Sequence, residues 1–492
     1  MTRNLPPRNL LIIMADEHQR GIMGCYGNPH ARTPNLDRLA AQGARFTNAY
    51  TPSPICVPAR AAFATGQPVH RTGHWDQAFP YTGAPRGWGH HLADHGIIAD
   101  SIGKLHYRRA EDDHGFRQAL DAMYVAEGIG EIISCLRERA PHREGHAHGV
   151  KAGPGESSYL NYDRRITRQA QEWLAHHQTE TRPWVLFVSY VNPHPPLIAP
   201  PDLYAGYDPA TLPLPVQWQE AEWPHHPALD YFRRYFGWTR PLSEDELRRT
   251  LATYYAQVEF IDQCVGKVLD TLAQTGLDSS TRILYTADHG AMLGARGLFG
   301  KFTLYDEAAA IPMLLSGPDI PTGRVVATPV SLLDCAPTIC ESVGAPPMQP
   351  AGPGESLWSI LHSAERERMV LSEYHAAGSL HGATMITDGR AKLQHYVNAP
   401  TQLFDLVRDP EERVNVADDP AYAALRARLD AELRSRLDPD AVDRQAKADQ
   451  RAKVEAFGGE AAVLARGLSN SPVPGEAPVF QRNLQAHKPD AA

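Results

Sequence analysis

Short apolar runs alternate along this chain with segments in which apolar residues recur at helical spacing. The runs of strand length are Leu10–Ala15, Trp184–Tyr190, Arg282–Ala287 and Met313–Ser316. Ser243 and Glu246 have the spacing of a helix capping box, and the apolar residues behind them recur at helical intervals up to Gly276. This alternation predicts an α/β fold with a large, mostly parallel central sheet sandwiched by helices.

Polar residues follow three of these predicted strands. Asp16 and Glu17 come after the first strand, His194 follows the second, and Asp288 and His289 follow the third. Ligands of such sheets bind beyond the carboxyl ends of the strands, so these side chains are expected at one edge. Carboxylates and an imidazole suit a divalent ion, with Ca²⁺, Mn²⁺ and Zn²⁺ all open at this point.

The C-terminal part of the chain has a different pattern. Three short strand-like segments, Ala383–Thr387, Ala391–Tyr396 and Gln402–Leu406, predict a small antiparallel sheet. The last part is rich in Pro and Ala, carries one charged helical stretch, and is expected to pack against a neighbour or to fray. The predicted units are a larger α/β domain at residues 1–369, a small antiparallel-sheet unit at 370–436 and a tail at 437–492.

Composition narrows the class of protein. The 492 residues carry a net charge of −9 with both signs interspersed, so no clustered basic face for nucleic acid is expected. No apolar run approaches the roughly 20 residues that span a bilayer. The first apolar run is also too short for a secretion signal, and the six cysteines show no CxxC pair. A cytoplasmic protein with reduced thiols and no membrane partner is therefore expected.

One cysteine has chemically distinctive neighbours, in the segment Cys56-Val57-Pro58-Ala59-Arg60. A helix is predicted from Ala59 to Thr65, so Cys56 lies near its start, where the helix dipole and Arg60 favour a thiolate. A buried structural cysteine and a thiolate nucleophile are both open interpretations. Neither explains why Pro58 and Arg60 accompany it.

This segment, with Thr65-Gly66 behind it, resembles the type I sulfatases of the alkaline phosphatase superfamily. The resemblance runs from about residue 8 to residue 420, and further matching segments follow in the family's order. They are ADEHQRGIMGCYGN at 15–28, TPNLDRLAAQGARFTNAY at 33–50, GKLHY at 103–107, NPHPP at 192–196, ADHGAMLGARGLFGK at 287–301 and QLFDLVRDPEERVN at 402–415. Three positions depart from the usual pattern: Glu17 stands where aspartate is usual, Ala59 where serine is usual, and His289 where asparagine is frequent.

The resemblance implies a sulfuric ester hydrolase with an alkaline phosphatase-like fold. In that family a separate maturing enzyme oxidises the cysteine to formylglycine, whose hydrate is the nucleophile. The implied metal ligands are Asp16, Glu17, the modified Cys56, Asp288 and His289. The implied catalytic residues are Cys56, Arg60, Lys104, His106, His194 and Lys301. One divalent ion is expected, Ca²⁺ first and Mn²⁺ as the alternative.

The substrate is less well specified by the sequence. A small sulfate ester is expected, and arylsulfatase-like and choline sulfatase-like branches both fit. A phosphonate monoester or a phosphodiester has the same charge and shape, and Ala59 and His289 also occur in that branch. A catalytically silent binding protein with unmodified Cys56 is the remaining alternative. His74, Trp75 and Tyr107 are predicted to line the substrate pocket, and the tail is expected to support a homo-oligomer, a dimer or tetramer.

Overall fold

An eight-stranded sheet forms the centre of the computed structural model, which describes residues 8–138, 140–143 and 151–482. Its strands are β1 (Asn9–Asp16), β2 (Ala44–Phe46), β3 (Ile98–Lys104), β4 (Gln118–Met123), β5 (Trp184–Pro193), β6 (Thr281–Ala287), β7 (Met313–Ser316) and β8 (Arg324–Val326). Their order across the sheet is β8-β2-β7-β6-β1-β5-β3-β4. All neighbours are parallel except β7, which is antiparallel to both β2 and β6.

Helices cover the central sheet. Among the described residues, the helices of seven residues or more are α1 (Pro34–Ala41), α2 (Cys56–Thr65), α3 (Trp88–Asp94), α4 (Ser158–His176), α5 (Pro227–Phe236), α6 (Glu244–Gln274), α7 (Cys335–Val343), α8 (Ala423–Arg436), α9 (Pro439–Ala456) and α10 (Glu460–Arg466). The capping box predicted for α6 is confirmed, because Glu246 N–H donates to Ser243 Oγ and Ser243 N–H donates to the Glu246 carboxylate. Helix α2 begins at Cys56, one turn earlier than the sequence predicted.

The central strand shows why the sheet is buried on both faces. Leu10, Ile12 and Met14 of β1 belong to one hydrophobic core, while Leu11 and Ile13 belong to another. Successive side chains of a strand point to opposite faces, so a strand between two helical layers must be apolar throughout. All eight residues of β1 are buried. The predicted mostly parallel sheet between helices is confirmed.

The smaller sheet is antiparallel and is built from β9 (Val370–Tyr374), β10 (Ala383–Thr387), β11 (Ala391–Tyr396) and β12 (Gln402–Asp405). Helix α8 packs on it through Leu429 and Leu433. The predicted short antiparallel sheet is therefore confirmed. The division at residues 369 and 436 stays a prediction.

The tail folds back onto its own chain. Gln450 of α9 is fully buried and donates from Nε2 to Asp76 Oδ2 (2.6 Å) and to the carbonyl of His375 (2.9 Å). Ala446 packs against Trp75 and Val69. These contacts join the tail to the segment after α2 and to the end of β9. Within the described ranges, no helix combines the length and apolarity needed to cross a membrane.

Candidate active site

Three strand ends of the central sheet bring the predicted polar residues together. Asp16 ends β1, Asp288 and His289 follow β6, and His194 follows β5. The register between β1 and β5 shifts at Asp16, which pairs with Pro193. This irregularity lets both strands turn outwards at the edge where ligands bind in such sheets. All four polar side chains lie in or next to one buried cluster.

Glu17 is held in an unusual backbone conformation at this edge. Its φ is +65°, a value that costs a residue with a side chain some free energy. Its N–H donates to Asp288 Oδ1 (3.1 Å), and the hydroxyl of Tyr254 donates to its carbonyl. These bonds, one of them from α6, hold the backbone in place and turn the Glu17 carboxylate into the site.

Cys56 lies at the centre of the cluster and is fully buried. Its Sγ is 3.2 Å from His289 Nε2, 3.6 Å from Asp16 Oδ1 and 3.1 Å from Lys301 Nζ. The first turn of α2 aims the side chain at the strand ends. A group attached at residue 56 therefore contacts both the acidic and the cationic residues of the site.

Asp16, Cys56, Asp288 and His289 offer ligand atoms that all lie within 4.8 Å of one another. Carboxylate oxygens and one imidazole nitrogen fit a divalent cation, and the Cys56 sulfur stands where a modified residue would present oxygen. The residues present therefore fit the metal that the family implies. The carboxylate of Glu17 lies instead in a second set of ligand atoms, with those of Asp16 and His194, all within 4.8 Å of one another.

Arg60 organises the carboxylates of this cluster. It is buried, and its Nε is 2.8 Å from Asp288 Oδ2 while its Nη2 is 3.1 Å from Asp16 Oδ2. Nη1 donates to the carbonyl of Lys104 (2.6 Å) and to Ser189 Oγ (2.9 Å). Residues four apart on a helix share a face, so the spacing of Cys56 and Arg60 on α2 points both side chains at the same strand ends.

Two lysines add positive charge on the open side of the cluster. Lys104 Nζ is 2.6 Å from Asp16 Oδ2, and Lys301 Nζ is 2.9 Å from Glu17 Oε2. Burial opposes ionisation of Asp16, but the nearby charges, Lys104 first, hold its pKa well below the usual range. Burial instead raises the pKa of Glu17, although the charge of Lys301 opposes this shift. The site therefore combines an ionised Asp16 with cations that have little solvent around them.

The pKa of the Cys56 thiol is not lowered as its helix position suggested. Burial, followed by the charge of Asp16, raises this pKa to about 12, and the lysines oppose the shift only in part. The expectation of a thiolate favoured by the helix dipole and Arg60 is therefore wrong for this side chain as it stands. Burial among carboxylates outweighs the dipole at the start of α2.

Two histidines face the remaining side of the site. Burial, with added effects of Lys104 and Arg60, lowers the pKa of His106 well below its usual value. Burial and Lys301 lower the pKa of His194 in the same way. His194 Nε2 is 3.7 Å from Glu17 Oε2, and its Nδ1 is 2.7 Å from the carbonyl of Pro195. Both imidazoles are thus neutral groups that can exchange a proton.

The loop that carries His194 is fixed by a buried carboxylate that the sequence did not reveal. Asp163 of α4 accepts hydrogen bonds from the N–H of Val191 (2.9 Å), from the N–H of Asn192 (2.8 Å) and from Asn192 Nδ2 (2.7 Å). Gln257 of α6 then donates to Asn192 Oδ1 (2.8 Å). These bonds fix the backbone near the end of β5, at Asn192, two residues before His194.

A cavity of about 50 Å³ adjoins this side of the cluster. Its wall contains Gln77, Lys104, His106, Val125, Ala126, Gly130, Glu131, Tyr159, His194, Ser469, Asn470 and Ser471. Most of these residues lie outside the family-like segments, on loops, on the first turn of α4 and on the C-terminal segment. No local signal marked them in the sequence, because only the tertiary fold brings them together.

The three residues predicted to line the pocket are placed elsewhere. Trp75 donates from its indole to Asp449 Oδ2 (2.8 Å), under α9. His74 Nδ1 is 2.8 Å from the carbonyl of Phe79. Tyr107 is 2% exposed and packs edge-on against Tyr81. These side chains support the structure around the site and do not form the wall of the cavity.

Comparison with known proteins identifies the family. The family model described as Sulfatase matches residues 8–345, and a second model, N-sulphoglucosamine sulphohydrolase, C-terminal, matches residues 294–438. A relative named choline-sulfatase, from Rhizobium meliloti (strain 1021), is 33% identical over 88% of this chain and 86% of its own length. Arylsulfatase K of Danio rerio is 28% identical over 89% of this chain and 85% of its own. A solved phosphonate monoester hydrolase from Silicibacter pomeroyi superposes with a TM-score of 0.70, at 23% identity, over 97% of this chain and 100% of its own.

The sheet order, the acidic strand ends and these matches define an alkaline phosphatase-like hydrolase, and the chain belongs to the sulfatase family. It is a hydrolase that acts on sulfuric esters.

Proposed function

We propose that the chain cleaves a small sulfate monoester with a formylglycine nucleophile made from Cys56 and with one divalent metal ion, Ca²⁺ before Mn²⁺. The observation that carries this proposal is the position of Cys56 Sγ, between the ligand atoms of Asp16 and His289 and the ammonium of Lys301. A sulfate monoester is an anion, and a group at residue 56 meets both the metal ligands and the cations that such an anion needs.

Two groups that the sequence does not encode directly would supply the chemistry. Formylglycine at position 56 would supply a hydrated aldehyde, in which one hydroxyl attacks sulfur and the other later expels sulfate by C–O cleavage before water restores the hydrate. A metal held by Asp16, Asp288, His289 and the group at residue 56 would polarise sulfuryl oxygens and favour ionisation of the attacking hydroxyl. Glu17 stays a predicted ligand whose carboxylate also binds Lys301.

The chain's own residues have distinct tasks in this proposal. Lys104 and Lys301 bind the sulfuryl oxygens, where negative charge grows in the transition state. His194 protonates or stabilises the leaving oxygen, and as a proton donor it acts in its charged form. His106 takes a proton from the second hydroxyl at residue 56 as the C–O bond to sulfate breaks. Arg60 holds the carboxylates of Asp16 and Asp288 in position.

The modification of Cys56 is tested by mass spectrometry. We expect the peptide spanning residues 53–60, from protein made in its own host, to carry an aldehyde in place of the thiol. The peptide that contains Cys335, also fully buried, is the matched control and should keep its thiol. An unmodified Cys56 in that sample would support the catalytically silent binding protein instead.

A phosphonate monoester or phosphodiester is the second candidate substrate. Ala59 and His289 favour it, since the phosphonate and phosphodiester branch resembles this chain at both positions. We expect 4-nitrophenyl sulfate to be hydrolysed faster than a 4-nitrophenyl phosphonate ester by one preparation. A much faster phosphonate reaction would overturn the choice of sulfate. Choline sulfate belongs in the same assay, because a relative with 33% identity is named choline-sulfatase.

Location and assembly are part of the proposal. All six cysteines are free, which supports a reducing compartment such as the cytoplasm. A sulfatase-maturing enzyme is then the required partner in the same compartment.

We propose a homo-oligomer, a dimer or tetramer. Light scattering of the full chain tests this, and a monomer at micromolar concentration would contradict it.

A further inference from the structure

The C-terminal segment reaches the catalytic side chains in the same chain. After α10, Leu468 and Ser469 pair antiparallel with Gln481 and Phe480. The loop between these short strands passes the cavity beside Lys104 and His194. Within it, Ser471 Oγ lies 2.6 Å from His106 Nε2, a hydrogen bond between residues 365 positions apart.

Several contacts that do not involve His106 fix this segment. Arg466 donates from Nη1 to the carbonyl of Gly130 (2.6 Å) and from Nη2 to that of Ala126 (3.3 Å). Val473 is 3% exposed and belongs to the hydrophobic core beneath the central sheet. The hydroxyl of Tyr159 donates to the carbonyl of Ser471 (3.4 Å). The backbone at Ser471 is therefore held by contacts other than the bond between its hydroxyl and the imidazole.

His106 has few other constraints on its ring. The residue is 6% exposed, and its backbone N–H donates to the carbonyl of Met123 (2.8 Å). Its Nδ1 is buried and has no hydrogen-bond partner within the described ranges. A neutral imidazole carries one proton, and the partner of one nitrogen decides which nitrogen keeps it.

We propose that Ser471 is a positioning residue for His106. It accepts a hydrogen bond from Nε2–H, fixes the ring, and leaves the Nδ1 lone pair to take the proton that is released at residue 56. The proton leaves the second hydroxyl there, and its electron pair forms the aldehyde as the C–O bond to sulfate breaks. This inference rests on the proposed function for the task of His106, but the ring's orientation and tautomer are properties of the resting protein.

Replacing the hydroxyl tests this task directly in the full-length protein. We expect Ser471→Ala to lower kcat about tenfold, the loss expected from one hydrogen bond, with KM within about twofold of the wild type. Ser471→Thr keeps the hydroxyl and should restore most of the rate. Ser435→Ala, which removes an exposed hydroxyl bonded only within α8, should leave both constants unchanged. A Ser471→Ala rate within twofold of the wild type, or a threonine variant no better than alanine, would overturn the inference.

A double-variant comparison separates positioning from a general loss of structure. If Ser471 acts through His106, Ser471→Ala should add no further loss of kcat in a His106→Gln background. Equal losses in both backgrounds would show that Ser471 acts independently of His106, and would contradict the proposal.

A measurement without substrate keeps this inference distinct from the proposed function. Nitrogen NMR of ¹⁵N-histidine-labelled protein, with His106→Gln to assign the signal, should show an Nε2–H tautomer in the wild type and a mixture of tautomers in Ser471→Ala. An Nδ1–H tautomer in the wild type would overturn the inference even if sulfate esters are hydrolysed. Wild-type protein with modified residue 56 and no sulfatase activity would instead overturn the proposed function.

Discussion

The two halves of the active site are built in different ways. The anion-binding half, with Asp16, Cys56, Arg60 and Asp288, lies on strand ends and on the first turns of α2, and its side chains are almost fully buried. We assign the leaving group to the other half, the part of the cavity wall with Glu131, Tyr159 and Ser471, on a loop, on the first turn of α4 and on the C-terminal segment. The first half is made of dense mutual ion pairs. The second has few, so it can vary without disturbing the charges that bind the anion.

The largest loss of activity is expected when the central residue of the anion-binding half, Cys56, is replaced. Cys56→Ala removes the proposed nucleophile and should reduce kcat by at least about 10⁴-fold, the scale seen when a nucleophile is deleted. Thermal unfolding should shift by only a few degrees, because one small buried group is lost. Steady-state assays and a melting curve measure both quantities. Cys335→Ala is the matched control, and retained turnover in Cys56→Ala would refute the assignment.

A smaller loss is expected when one cation of the same half is neutralised. Lys104→Met removes the ammonium 2.6 Å from Asp16 Oδ2 and should lower kcat/KM by about 10²- to 10³-fold, the range for one group that stabilises transition-state charge. The loss should be similar for every leaving group, because Lys104 faces the anion. Lys267→Met, an exposed lysine on α6, should have no effect. A loss that depends strongly on the leaving group would contradict the assignment of Lys104 to the anion-binding half.

The leaving-group half should respond in a substrate-dependent way. Glu131 lies on the cavity wall and pairs with Arg143. Glu131→Gln should lower kcat/KM for choline sulfate by several-fold, about 1 kcal/mol, and that for 4-nitrophenyl sulfate less, because only choline carries a positive charge. Parallel assays with both esters measure the ratio. The exposed Glu172→Gln is the control, and an equal change for both esters would contradict a role in leaving-group recognition.

The smallest effect on turnover is expected behind the cavity wall. His114 packs against Tyr81 and Tyr107. Burial lowers the pKa of His114 from 6.5 to about 4. Between these two pH values the unfolded chain binds more protons than the folded protein. The free energy of unfolding therefore rises with pH, by up to roughly 3 kcal/mol. His114→Phe should abolish this part of the slope and leave kcat within about twofold. Urea unfolding between pH 4 and pH 7 measures it, and an unchanged slope would contradict the assignment.

The two halves also differ in how far sequence predicted them. Asp16, Asp288 and His289 could be found because strand ends of a parallel sheet meet at one edge, and Cys56 and Arg60 because their spacing resembles a family motif. Tyr159 and Ser471 could not be found, since their place depends on how α4 and the tail pack. The same reason misplaced Trp75: nearness in sequence to a motif does not decide whether a side chain faces a cavity or, as here, the underside of α9.

The contact between Ser471 and His106 sets an order of events during synthesis. Residue 471 emerges from the ribosome 365 residues after residue 106, roughly 20 to 70 s later at usual elongation rates. Until then the leaving-group wall is incomplete. Cys56 is fully buried once the chain has folded. Under the proposed function, a maturing enzyme that needs access to this thiol has its best opportunity on the nascent chain, before the fold closes over Cys56, so translation speed would influence the fraction of active protein.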